Sequence, residues 1–248
     1  MKLEPWPYPL WIAHRGAGKL APENTLAAFR LGAQHGYTAF ECDVKLSADD
    51  VPFLLHDAAL ARTTQVEGVA GEQPWMRLSQ LDAGGWHSRR YAGEPMATLH
   101  AIAHYVRRNR FALNIEIKPT PGHDERTGRI VARDAAQLWR HDRRPPLLSS
   151  FQPAALQAAR EAAPALPRAL LIDALHVGWF ECAQSLDCVA VVADHALIDR
   201  ALVERLHGAG LRALAYTVNH EAEAQRLQAI GIDGLITDAV DRFAPSAP

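Results

Sequence analysis

The sequence is poor in several features that mark other classes of protein. Its 248 residues include only three cysteines, Cys42, Cys182 and Cys188, a sparse and odd set that argues against a disulfide framework and is typical of reduced thiols in the cytoplasm. No apolar run approaches the roughly 18 residues of a membrane span, and the proline-rich first ten residues leave no room for the apolar region of a signal peptide. The formal net charge is −2, so no excess of one sign indicates nucleic acid or an anionic membrane as partner.

The composition is that of a globular protein, with 48% hydrophobic and 22% charged residues, enough to bury a large core. Short strands rich in Val, Ile, Leu and Ala alternate with helices, which predicts an α/β fold, the (β/α)8 TIM barrel, as a single domain over residues 1–248. The glycine-rich residues 58–97 interrupt this alternation and are predicted to form a small insertion after strand 2. The predicted strands are Leu10–Ala13, Ala39–Leu46, Phe111–Lys118, Leu147–Phe151, Arg168–Asp173, Cys188–Asp194, Arg212–Val218 and Ile232–Asp238, with a short helix after the last.

Carboxylates alternate with apolar residues in the second predicted strand, Phe40-Glu41-Cys42-Asp43-Val44. Because side chains two apart in a strand point the same way, Glu41 and Asp43 share one face while Cys42 turns toward the surrounding helices. Two adjacent carboxylates repel each other unless a positive charge lies between them. A divalent cation, which prefers oxygen ligands, is the simplest such charge. We therefore predict that Glu41 and Asp43 bind a metal.

A later strand places Glu116 and Lys118 on one face by the same rule. A structural ion pair between the two is the plain alternative, but Glu116 would also complete a set of three carboxylates with Glu41 and Asp43. Oxygen ligands alone suit Mg²⁺ or Ca²⁺ better than Zn²⁺. We therefore predict Glu116 to be the third metal ligand.

Two of the 12 histidines end apolar strands, His14 after the first strand and His56 after the short run that follows the second. Histidine titrates near neutral pH and is a common general acid or base, so we predict that the pair is catalytic and favour His14 as the base and His56 as the acid. The other histidines fit solvent-facing or structural positions. At the same barrel mouth, Arg15 is suited to bind phosphate, and Asp57 either orients His56 or only forms a turn.

These motifs resemble, in kind and order, those of the glycerophosphodiester phosphodiesterases. The family pattern is an HR pair, an E-x-D strand and an HD pair, here His14-Arg15, Glu41-Cys42-Asp43 and His56-Asp57. The phosphatidylinositol-specific phospholipases C are similar in barrel and two-histidine mechanism, but the further landmarks fit the glycerophosphodiester group better. Those landmarks are Pro22-Glu23-Asn24-Thr25, Leu60-Ala61-Arg62-Thr63-Thr64, Glu116-Ile117-Lys118, Ser149-Ser150-Phe151, Tyr216-Thr217-Val218-Asn219 and Thr237-Asp238.

The resemblance implies an enzyme that hydrolyses glycerophosphodiesters, such as glycerophosphocholine and glycerophosphoethanolamine, to sn-glycerol 3-phosphate and an alcohol. It implies a divalent cation, Mg²⁺ or Ca²⁺, on the three carboxylates, with His14 and His56 as the acid and base. Arg15 and Lys118 would contact the phosphate, and Phe151 and Tyr216 would line the substrate pocket. The expected partner is a small-molecule substrate, without nucleic acid or stable membrane insertion, for a cytoplasmic monomer or homodimer.

Three alternatives remain open at this point. In a barrel lyase, Lys118 would form a Schiff base, but the carboxylates and histidines would then have no role. A non-catalytic phosphate- or metal-binding barrel would not need so complete a catalytic set. A related phosphodiesterase acting on lysophospholipids or phosphoinositides would use the same residues, because the insertion and the loops near Phe151 and Tyr216 shape the head-group pocket.

Overall fold

The chain folds into a closed ring of parallel strands surrounded by helices; the computed structural model describes residues 5–243 and 245. The strands are β1 (Trp11–Ala13), β2 (Ala39–Leu46), β3 (Pro52–Leu54), β4 (Ala112–Ile117), β5 (Leu147–Ser150), β6 (Arg168–Ile172), β7 (Ala190–Asp194), β8 (Arg212–Tyr216) and β9 (Gly234–Thr237). The helices are α1 (Leu26–Gln34), α2 (Ala61–Thr64), α3 (Trp75–Leu78), α4 (Leu99–Arg108), α5 (Asp124–Leu138), α6 (Pro153–Ala162), α7 (Trp179–Ser185), α8 (Arg200–Gly208) and α9 (Glu221–Ala229).

Strand pairing closes the ring. β1 pairs in parallel with both β2 and β9, and the remaining ring strands follow in chain order. β3 is the exception, because it runs antiparallel to the end of β2, with Lys45 opposite Phe53. Most ring strands are buried along their whole length, as expected for parallel strands with helices outside and side chains inside. The predicted (β/α)8 barrel is therefore confirmed.

Small and branched apolar side chains fill the inside of the barrel, as this fold requires. Trp6 and Tyr8 pack against this cluster, and the Tyr8 hydroxyl donates to the Pro145 carbonyl at 3.0 Å. The N-terminal segment thus closes the end of the barrel at which the strands begin. The cluster consists of Ile12, Ala39, Ala112, Leu147, Ala169, Leu171, Ala190, Val192, Leu214 and Ile236.

The insertion, residues 58–97, contains α2, α3 and two short 3-10 turns. Its apolar side chains, among them Leu60, Leu78 and Met96, pack in one buried cluster with Phe53 and Leu55. The small core of the insertion is therefore continuous with β3.

The chain after β9 differs from the prediction. The described residues there form a turn, in which the amides of Arg242 and Phe243 donate to the Ala239 carbonyl, in place of the short terminal helix expected from the sequence. Tertiary contacts explain the difference, because the Phe243 ring stacks on Trp11 with 4.3 Å between centroids and its carbonyl accepts from Tyr37 Oη at 3.0 Å.

Close packing of α1 against the loop after β1 generates a testable prediction. A Cβ on Gly32 would lie 2.1 Å from the Gly16 carbonyl oxygen, and this backbone atom cannot move without moving the loop that carries His14. Gly32→Ala is therefore expected to lower the free energy of unfolding by about 1–3 kcal/mol, as overpacking usually does, in a denaturant titration.

The matched control is Gly208→Ala at the end of α8, where an added Cβ meets nothing within 4 Å. This control is expected to leave stability unchanged or to raise it by up to about 1 kcal/mol, the helix preference of Ala over Gly. Equal stability changes for the two variants would contradict the packing argument.

Candidate active site

The predicted site residues come together at the carboxyl ends of the barrel strands, the usual position of a catalytic site in this fold. A pocket of about 170 Å³ opens there. Eight of the nine predicted residues are in its lining, and the ninth, Asp43, lies behind it with no exposed surface. The lining consists of His14, Arg15, Glu41, His56, Asn114, Glu116, Lys118, Phe151, Leu171, Tyr216, Thr217 and Ile236.

The three predicted metal ligands form a compact buried cluster, which we call the carboxylate triad: Glu41, Asp43 and Glu116. Strand register brings them together, because Asp43 of β2 is paired with Glu116 of β4 and Glu41 lies two residues before Asp43. One oxygen of each carboxylate lies within 4.8 Å of the others, and all three residues are buried. The triad can therefore hold one ion between its oxygens.

Burial and mutual repulsion act differently on the three carboxyl groups. Burial, followed by the charge of Asp43, raises the pKa of Glu41 to about 8, and the same two causes raise the pKa of Glu116. Burial also acts to raise the pKa of Asp43, but Arg15 and Lys118 outweigh it and hold that pKa well below its usual range. A further positive charge would therefore favour full ionisation of the triad.

Two orphaned oxygens show where that charge would act. Glu41 Oε1 and Asp43 Oδ1 are buried, and neither accepts a hydrogen bond from any residue that the structure describes, although the Lys118 ammonium lies 3.3 Å from Asp43 Oδ1. Buried acceptors are rarely left in this state unless an ion or water satisfies them. Because both atoms belong to the triad and all its ligand atoms are oxygens, the residues fit a hard divalent cation.

Each predicted catalytic histidine is held by a carboxylate at its Nδ1 atom. His14 Nδ1 lies 2.6 Å from Asp238 Oδ1, and His56 Nδ1 lies 2.6 Å from Asp57 Oδ1. An ionised carboxylate only accepts hydrogen bonds, so Nδ1 carries the proton in both rings and Nε2 is the position left for proton exchange. His14 Nε2 faces the triad, 3.8 Å from Glu41 Oε2.

The pKa values of the two histidines shift in opposite directions. Burial acts to lower the pKa of His14, but the hydrogen bond to Asp238 and the charge of Glu41 outweigh burial, so the net effect is a raised pKa. Burial, aided by neighbouring cations, lowers the pKa of His56. These opposite shifts give the two rings different tendencies to hold a second proton, as a separate acid and base require.

Ion pairs connect the two histidine-bearing loops through the insertion. Arg15 Nη1 donates to Glu23 Oε1 at 3.0 Å. Arg62, in α2, donates to both oxygens of Glu23 at 2.7 and 2.8 Å and to both oxygens of Asp57 at 2.6 and 3.2 Å. The insertion therefore braces Arg15 on one side of the pocket and, through Asp57, His56 on the other.

Lys118 presents its ammonium group between the triad and an aromatic wall. Its Nζ lies 2.7 Å from Glu116 Oε1 and 3.3 Å from Asp43 Oδ1, and 5.8 Å from the centre of the Phe151 ring, which meets Tyr216 edge-on. Burial lowers the pKa of Lys118, but the two carboxylates outweigh it and raise that pKa. A protonated amine is a poor nucleophile, so this setting disfavours a Schiff base.

Sequence reasoning gave no role to several residues that hold the site in place. Asn24 donates through Nδ2 to Asp43 Oδ2 at 2.8 Å and accepts from the Asp43 amide at 3.0 Å, and Asp238, which holds His14, is itself bonded by Asn219 Nδ2 at 3.3 Å. The strand-end position that drew attention to His14 also applied to Asp238. Nothing in the sequence around Asn24, apart from its place in the Pro22–Thr25 motif, indicated a contact with Asp43. The contact exists because the folded loop brings Asn24 to β2.

A buried lysine, Lys45, was also missed. It is 1% exposed, and its Nζ donates to the Lys118 carbonyl at 3.0 Å. Burial lowers the pKa of Lys45 to about 8, against the charge of Asp43. The strand rule that found Glu41 and Asp43 also places Lys45 on their face, so its inward orientation was predictable. Its hydrogen bond to the Lys118 carbonyl was not predictable from the sequence.

The fold is a (β/α)8 barrel, and the candidate site lies at the carboxyl ends of its strands. Within the described ranges, no helix has the length and apolarity needed to cross a bilayer. Comparison with known proteins identifies the class further: the model of the glycerophosphoryl diester phosphodiesterase family matches residues 14–242. The chain belongs to this family and is a phosphoric diester hydrolase.

Individual relatives agree over nearly the full length. The chain is 32% identical to YhdW of Bacillus subtilis over 93% of this chain and 94% of that protein. It is 30% identical to a glycerophosphodiester phosphodiesterase of Caldanaerobacter subterraneus over 92% and 93% of the two chains. Its structure superimposes with a TM-score of 0.88 on an Oleispira antarctica phosphodiesterase bound to sn-glycerol-3-phosphate, at 34% identity and 95% coverage of both chains.

Proposed function

We propose that this enzyme hydrolyses glycerophosphodiesters such as glycerophosphocholine and glycerophosphoethanolamine to sn-glycerol 3-phosphate and the free alcohol. The observation that carries the proposal is the carboxylate triad, with one oxygen of each carboxylate within 4.8 Å of the others. Two histidines lie next to it, and each has an aspartate oxygen 2.6 Å from its Nδ1 atom. The product bound to the Oleispira antarctica relative supports the glycerol phosphate half of the substrate.

The charges around the pocket suit a phosphodiester. Its single negative charge grows on the phosphoryl oxygens during displacement, and Arg15 and Lys118 present cationic groups to those oxygens, each within 3.3 Å of Asp43. When bound to the triad, Mg²⁺ or Ca²⁺ supplies Lewis-acid stabilisation of the same charge. Glu41, Asp43 and Glu116 would hold the cation, and the two cationic side chains would orient the phosphate.

The two histidines transfer the protons. One accepts the proton of the attacking hydroxyl, and the other protonates the departing alkoxide. The attacking hydroxyl is that of water or a free hydroxyl of the glycerol; in the second case a cyclic phosphate forms, and water then opens it to sn-glycerol 3-phosphate. Asp238 and Asp57 keep the proton on Nδ1 of each ring, so the exchange takes place at Nε2. Such positioned acid–base groups typically raise the reaction rate by about 10²–10⁴-fold each.

The cytoplasmic location, the monomeric or homodimeric state and the single-domain organisation stay predictions.

Product analysis tests the reaction. The enzyme is expected to release sn-glycerol 3-phosphate from glycerophosphocholine in a coupled assay, to lose that activity with EDTA and to regain it with Mg²⁺ or Ca²⁺. Release that EDTA leaves unchanged would contradict the role of the triad. If no glycerophosphodiester gives sn-glycerol 3-phosphate with either metal, the proposed substrate class is wrong. Phosphoinositides and lysophospholipids would then be the next substrates to test.

Division of labour between the histidines predicts different responses to the leaving group. His14→Ala and His56→Ala are each expected to lower kcat on glycerophosphocholine by about 10²-fold or more. On a glycerophosphodiester of p-nitrophenol, whose phenolate departs without protonation, only the variant that lacks the acid is expected to recover most of the lost rate.

His104→Ala is the matched control, because His104 is exposed on α4, away from the pocket. This variant should retain wild-type rates on both substrates. Recovery of both site variants on the activated substrate, or of neither, would contradict a separate acid and base.

A further inference from the structure

Lys45 is a buried cation that the mechanism does not use. The residue is 1% exposed, and its Nζ donates one hydrogen bond, to the Lys118 carbonyl at 3.0 Å. An ammonium group has three donors, so two N–H groups of Lys45 are unused within the described chain. Lys118, by contrast, pairs with both Glu116 and Asp43, whereas Lys45 forms no ion pair with any described residue.

Burial of an ammonium group with unused donors is costly unless something else accepts from them. Support of one backbone carbonyl does not need a charged group, since a neutral donor would serve. Lys45 therefore has the character of a group that is completed by a ligand.

A second pocket provides the space for that ligand. It has a volume of about 330 Å³ and is lined by Lys45, Pro121, Gln152 and other residues. It shares His56, Glu116, Lys118 and Phe151 with the 170 Å³ pocket that contains His14 and Arg15. The phosphate contacts assigned to Lys118 therefore lie at the boundary between the two pockets.

A phosphodiester at this boundary has one arm in each pocket. The glycerol arm is small and the same in every substrate, so it fits the smaller pocket with His14, Arg15 and Tyr216. The alcohol arm varies in size, so it fits the larger pocket. Its oxygen atoms would then lie where Lys45 has donors to offer.

We propose that Lys45 is a specificity-determining residue, which donates hydrogen bonds to hydroxyl or carboxylate oxygens of the leaving alcohol and so favours oxygen-rich head groups over trimethylammonium head groups. This inference rests on the proposed function. It adds a preference among glycerophosphodiesters that the reaction itself does not require.

The rest of the pocket agrees with this preference. Trimethylammonium groups are usually bound between aromatic faces, but Phe151 is the one aromatic residue in the described lining, and the Lys118 ammonium already lies over its ring at 5.8 Å. Asp57, one of the two carboxylates in the lining, is engaged by Arg62 and His56 at 2.6 Å each. No free anionic or aromatic group in the lining is left for a quaternary ammonium.

The test compares kcat/KM for glycerophosphoinositol, glycerophosphoserine and glycerophosphocholine. The wild-type enzyme is expected to favour the first two over the third by about tenfold, the usual effect of hydrogen bonds to a charged donor. Lys45→Met, which keeps the length of the side chain without its donors, should bring the ratio of kcat/KM values close to one, chiefly through KM. Lys45→Gln keeps a donor, the side-chain amide, on a shorter side chain and should give an intermediate ratio. This variant provides the test if Lys45→Met does not fold.

Arg108→Met is the matched control, because Arg108 is an exposed cation in the last turn of α4, at the end of the barrel where β4 begins. It should leave the ratio unchanged. A wild-type preference for glycerophosphocholine, or an equal loss on all three substrates in both Lys45 variants, would overturn the inference in favour of a purely structural lysine. Turnover of none of the three by the wild-type enzyme would instead refute the proposed function itself.

Discussion

Repulsion among three buried carboxylates is the constraint on which the rest of the site depends. Glu41, Asp43 and Glu116 lie so close together that burial and mutual charge raise the pKa of two of them, and Glu41 Oε1 is buried without a hydrogen-bond donor among the described residues. Arg15 and Lys118 offset part of this charge from opposite sides of Asp43. The remaining imbalance is what a divalent cation would neutralise, at the same place where the reaction needs positive charge.

The scaffold holds this unfavourable cluster in place by layers of neighbouring contacts. The register of β2 against β4 fixes Asp43 beside Glu116, and Asn24 secures Asp43 at both its carboxylate and its amide. Outside these contacts, Asp238 and Asp57 orient the two histidines, and Arg62 connects Asp57 with Glu23. The insertion is thus part of the positioning of the site as well as a cover for β3.

Much of this arrangement was predictable because it follows from local periodicity. The alternation of Glu41 and Asp43 in one strand and the strand-end positions of His14 and His56 led to residues that the structure brings together, and the regular alternation of strands and helices led to the barrel. Contacts between distant segments were not predictable in this way. Asn24 reaches Asp43 only through the fold of its loop, and the segment after β9 forms a turn because Phe243 stacks on Trp11, which no local pattern encodes.

Calorimetric titration of Mg²⁺ and of Ca²⁺ into EDTA-treated enzyme tests the central claim most directly. The account predicts that the wild-type enzyme binds one divalent ion, that Glu116→Gln loses or strongly weakens this binding, and that Glu125→Gln, at an exposed carboxylate of α5, retains it. Unchanged binding in Glu116→Gln, or no binding of either ion to a wild-type enzyme that turns over substrate, would contradict the assignment of the triad as the metal site.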